Sequence, residues 1–213
     1  MTFGKRISRP VIWSIVWGGL LVLEPLPYTQ ACIATQTRPL QEAQIGLDQL
    51  VKSLAQSILR ERTFHETYYS HMLTTPSHKE GTLVFQPPDR LEKHVRIPTE
   101  ESFVIHGDNL LYENPSREIS HTFSLQEFPA LSTLINGLRA LFNGDPEQLQ
   151  QVFSISISGT PESWTLDLAP RTINDEDGVD CIRLSGEQTD LRILEIRETN
   201  GDRSILALDR QTP

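Results

Sequence analysis

Six histidines, two cysteines and one serine-rich run are the residues from which a catalytic or metal site in this chain would be built. His65, His71, His78, His94, His106 and His121 are scattered along the sequence. No two stand four places apart with a glutamate beside the first, the spacing that sets two imidazoles on one helical face around zinc. In the run from Phe153 to Gly159 serine alternates with isoleucine, as the wet and dry faces of a strand do. There is no Gly-x-Ser-x-Gly elbow, phosphate loop or dinucleotide fingerprint. The acidic stretch Asn174 to Gly178 lacks the ligand spacing of a calcium loop and reads as a solvated turn. Cys181 sits in the alternating run Val179 to Ser185 and reads as a small buried apolar residue. If processing removed Cys32, no internal disulfide would form. The expectation is a protein that is not an enzyme, with no catalytic residue, no metal ligand and no cofactor.

The first thirty residues differ from the rest. Lys5, Arg6 and Arg9 precede Val11 to Leu23, an uncharged and mostly apolar run. A basic start before an apolar stretch of this length is a secretory signal, and it is short for a transmembrane helix. Residues 1–34 are therefore expected to be a signal peptide, cut near Ala31 or Ala34, with retention as an anchor the alternative. Residues 35–213 are expected to form one domain, which is long enough to enclose a core unaided. Without Lys5, Arg6, Arg9 and Glu24, sixteen basic and twenty-seven acidic residues remain, a net charge of -11. A surface of that sign repels nucleic acid and anionic bilayers.

Ala43, Leu47, Leu50, Val51, Leu54 and Ile58 recur every three or four places, which predicts an amphipathic helix from Ala43 to about Leu59. The period then changes to two. Strands are expected at Phe64 to Leu73, Gly81 to Phe85, Arg90 to Ile97, Ser102 to Ile105, Leu110 to Tyr112 and Arg117 to Phe123, an antiparallel meander with no helix between its members. Leu131, Leu134, Ile135, Leu138, Leu141 and Phe142 mark a second helix ended by Asn143-Gly144. A short third helix begins at Asp145-Pro146-Glu147. Four or five more strands, Val152 to Ser158, Ser163 to Leu168, Val179 to Ser185, Leu191 to Glu198 and Arg203 to Leu208, complete the chain. The fold class is mostly β (α+β). About ten or eleven antiparallel strands are expected to curl into a curved half-barrel whose apolar cavity is covered by helices. Periodicity alone does not tell a filled core from an open cavity.

An ordered set of short motifs resembles the periplasmic outer-membrane lipoprotein carrier family, LolA, and more closely its divergent LolA-related branch. Phe64-x-x-x-Tyr68 after the first helix is similar to the family's Phe-x-x-x-Phe segment, and Gly81 to Pro88 resembles the strand leading to its proline turn. Asp108 within Ile105 to Tyr112 resembles the Asp-Gly hairpin, here with the order reversed. Trp164 to Pro170 and Glu198 to Arg203 resemble the later strand and hairpin. The resemblance implies a carrier, a monomer in the periplasm, that takes an acylated lipoprotein or lipid from an inner-membrane exporter to an outer-membrane acceptor. An envelope scaffold or membrane-tethered receptor with the same fold is the alternative. It also implies cavity-wall roles for Phe64, Tyr68, Leu83 and Phe85, with Leu91, Leu134 and Leu138 on the lid side. The family's arginine directly before the turn proline is Pro87 here, so Arg90 becomes the expected lid or mouth contact. Lys93 stands where the family often has tryptophan.

Overall fold

The computed structural model describes residues 45–57, 61–172 and 178–210. The expected signal segment, Cys32 and the acidic stretch lie wholly or mostly outside them. Helix α1 (Leu47–Ser57) precedes six strands: β1 (Arg62–Tyr69), β2 (Ser77–Gln86), β3 (Arg90–Ile97), β4 (Glu101–His106), β5 (Asn109–Asn114) and β6 (Ile119–Ser124). Helices α2 (Pro129–Phe142) and α3 (Pro146–Val152) follow. The chain closes with β7 (Phe153–Thr160), β8 (Ser163–Pro170), β9 (Val179–Glu187), β10 (Asp190–Glu198) and β11 (Arg203–Leu208).

All eleven strands join one sheet in the order β6-β5-β4-β3-β2-β1-β11-β10-β9-β8-β7, with every pairing antiparallel. Two meanders thus meet where β1 pairs with β11, with Phe64 opposite Leu208. The expected curved half-barrel is corrected by this ladder. It is open, β6 and β7 are its two edges, and no pairing bends it back on itself. The reason lies in the connectivity: each meander grows outward from the β1–β11 seam, and the step from β6 to β7 is made by helices. Open sheets of about this width occur where other elements cover a face.

Because that step must travel from one edge to the other, α2 is carried across one face of the sheet. Its Leu131, Leu134, Ile135, Leu138, Leu141 and Phe142 are all buried. Pro129 begins it, and the Asn143 N–H closes it onto the carbonyls of Arg139 and Leu141. Asp145 caps α3 by accepting from the Gln148 N–H at 2.9 Å. Gly137 sets the close approach of α2 to β7, since a Cβ there would meet the Phe153 ring at 2.4 Å. From α1, Leu50, Val51 and Leu54 are buried beneath the same layer. Cys181 on β9 is fully buried, but it is disulfide-bonded rather than a plain apolar residue.

Candidate functional site

Alternation along the strands turns one set of side chains toward the helices. On β2 these include Leu83 and Phe85, on β3 Leu91 and Lys93, on β4 Phe103 and Ile105, and on β5 Leu110. From the other meander come Leu194 and Ile196 on β10 and Leu206 and Leu208 on β11. Opposite them α2 presents Leu131, Leu134, Ile135, Leu138 and Phe142. Between the two layers lies a cavity of about 150 Å³ with an almost wholly apolar wall. One water occupies roughly 10–15 Å³ on that measure, so the space is on the order of ten water-sized groups. Few polar groups line it to hold water.

Leu83, Phe85, Leu91, Leu134 and Leu138 meet at this wall. Phe64 and Tyr68 face the same side of β1 and are buried, but they lie off it. The Tyr68 hydroxyl donates to Asp202 Oδ2 at 2.6 Å, which together with burial raises its pKa. Asp202 also accepts from the Ser70 hydroxyl at 3.0 Å and the His71 N–H at 2.9 Å, so this cluster ties the end of β1 to the β10–β11 hairpin. Arg90 pairs with Glu92 on its own strand. Burial works against ionisation of Glu92, but hydrogen bonds from Arg90 and His94 outweigh it and leave its pKa lowered.

Three residues to which the sequence reading gave no part in the site shape it. Arg139 on α2 reaches two hairpin turns, its Nη2 donating to the carbonyls of Asp89 at 2.9 Å and Gly107 at 2.6 Å. Asn143 adds a bond from Nδ2 to the Pro88 carbonyl at 2.6 Å. Together they pin the C-terminal half of α2 over the cavity. Lys93 is the third. Its Nζ donates to Glu66 Oε2 at 2.7 Å, and it lies 5.3 Å from the centroid of the Phe64 ring. Burial pushes the Lys93 ammonium below the ordinary lysine range, and Glu66 opposes that shift. Its place was legible in part: Leu91, Lys93 and Val95 share one parity on β3.

Among the described residues no group of three or more His, Cys, Asp or Glu side chains is placed to hold a metal ion, and no helix is long and apolar enough to cross a membrane. The model of the family described as outer membrane lipoprotein carrier protein LolA-like matches residues 40–209. The chain belongs to that family. Its place is the periplasm and its general role is carriage. No curated protein matches this LolA-like chain. Among solved structures, a LolA-superfamily protein of Nitrosomonas europaea matches at 11% identity and TM-score 0.37, over 78% of this chain and 94% of that one. The MucA/MucB complex of Pseudomonas aeruginosa matches at 11% identity and TM-score 0.40, over 78% of this chain and 58% of that one. LprF of Mycobacterium bovis matches at 9% identity and TM-score 0.33, over 76% and 91%.

Proposed function

We propose that this protein holds the acyl chains of a lipoprotein or lipid in the cavity beneath α2 and moves them between an inner-membrane exporter and an outer-membrane acceptor. The observation that carries this reading is the apolar cavity itself, covered by α2. Each methylene transferred from water to such a wall gains about 0.8 kcal/mol. A single medium-length chain therefore reaches useful affinity with no specific polar contact. The divergent LolA-related branch suits the chain, because Pro87 has no N–H or side-chain donor with which to do the work of the family's arginine. On this proposal residues 1–34 direct export and residues 35–213 act as one carrier domain. Cavity-wall roles for Leu83, Phe85, Leu91, Leu134 and Leu138 belong to the same proposal.

Filling the cavity tests it. Leu138→Trp places an indole in the space the chain would occupy, beside Phe85 and Phe142, whose rings stand 5.1 Å apart. The expected result is at least about a tenfold loss of affinity for laurate, equivalent to about 1.4 kcal/mol. Displacement of a fluorescent naphthylamine reads the affinity, and a melting curve confirms that the variant remains folded. Laurate binding unchanged in the folded variant would place the ligand elsewhere.

A further inference from the structure

We propose that the ion pair between Lys93 and Glu66 is the stop that fixes how long an acyl chain the cavity accepts, which makes Lys93 a specificity-determining residue; this rests on the acyl-binding reading above. The register across the sheet shows where the wall ends. Arg62, Leu83, Lys93 and Phe103 are successive cross-strand neighbours, and all four line the cavity. One step further along the same strands, Phe64, Gly81, Val95 and Glu101 are again successive neighbours, and none of them lines it. On β1 to β4 the cavity therefore finishes at the row that contains Lys93, while on β11 and β10 its lining runs on through Leu208, Leu206 and Ile196.

Behind that row the interior turns polar. Glu66 lies between Lys79 and Leu206 in the pairing, and Ser204 donates its hydroxyl to Glu66 Oε1 at 2.6 Å. Beside them Lys79 donates to Glu101 Oε2 at 2.9 Å. The Lys93 stem fills the space between the cavity and the Phe64 ring, and its ammonium is committed to Glu66. Both partners are largely desolvated, with side chains 13% and 1% exposed. A chain end advancing past Lys93 would separate a buried ion pair, which costs more than the added methylenes return. Arg62, in the same row, is anchored by the backbone carbonyls of Asp209 and Leu191, so it does not open a path along β1.

Straight-chain saturated carboxylates from octanoate to stearate, assayed by displacement of the same dye, test the stop. Wild-type affinity is expected to rise about fourfold per methylene. It then levels off at a chain length shorter than stearate. Lys93→Ala with Glu66→Gln removes three carbons and the nitrogen beyond Cβ, four heavy atoms in all, and avoids leaving a carboxylate unpaired, so the plateau moves out by about four methylenes. Lys93→Met with Glu66→Gln refills the space and leaves the plateau where it stands in wild type. Should the alanine variant not fold, Lys93→Leu with Glu66→Gln moves the plateau by about half as far. A plateau unmoved in the truncated variant, or moved in the methionine one, overturns the stop and leaves the acyl-binding reading intact. No binding of any chain length by wild type would overturn both.

Discussion

Glu66→Ala is expected to destabilise the protein by about 3 kcal/mol or more, the cost of leaving one partner of a buried ion pair without the other. Glu66 is 2% exposed and accepts from both Lys93 Nζ and the Ser204 hydroxyl. Removing it strands a cation that burial already disfavours. The loss appears as a lower urea midpoint with an unchanged slope. Lys93→Met with Glu66→Gln takes away both charges and recovers most of that loss, because no buried charge is left unpaired and Gln at 66 can still accept from the Ser204 hydroxyl. If Glu66→Ala cost no more than the double variant, the pair would not be a buried unit.

Arg139→Ala carries the second large effect. One guanidinium group spans the carbonyls of Asp89 and Gly107, which belong to the β2–β3 and β4–β5 turns. Hydrogen bonds to a charged group contribute about 1.5–3 kcal/mol each, so losing both costs about 2–4 kcal/mol after relaxation. The loss is local in character. Amide exchange in the second half of α2 and in the two turns speeds up, while β8, β9 and β10 keep their protection. Lysine in its place restores only part of the stability, because its Nζ falls one atom short of the Nη2 position from which both bonds are made. Uniform loss of protection across the sheet would show that Arg139 contributes generally to stability and does not hold α2 in particular.

Much of the fold was legible in the sequence because most strands here obey a period of two. The expected bounds of β3 and β11 coincide with the observed ones, and Asn143-Gly144 ends α2 where its residue types predict. The period failed where charge lies inside. β2 begins at Ser77, well before the apolar run at Gly81, because Lys79 faces the interior and is neutralised there by Glu101. Reading strands by apolar alternation passes over such a residue. Closure was beyond reach for a different reason. Nothing in the residues of β6 or β7 announces that they are edges; that follows from β1 pairing with β11, a contact between the two ends of the sheet-forming chain. The same limit applies to the site. Parity along β1 sets Phe64 and Tyr68 on the inner face, but only the register shows that the lining on β2 and β3 stops one row short of Phe64, while on β11 it includes Leu208, the partner of Phe64. Arg139 stands in a helical run where its spacing reads as a solvated face, and only the tertiary fold brings the two turns to it.

The central claim is that acyl cargo occupies the space beneath α2. Native mass spectrometry of the mature protein purified from a bacterial periplasm, before and after solvent extraction, tests it most directly. The account predicts a population carrying an added species of defined mass that extraction removes and that proves to be acylated. The bare polypeptide alone, from a protein that also fails to take up added fatty acids or acylated peptides, would contradict it and leave an envelope scaffold with a carrier's fold.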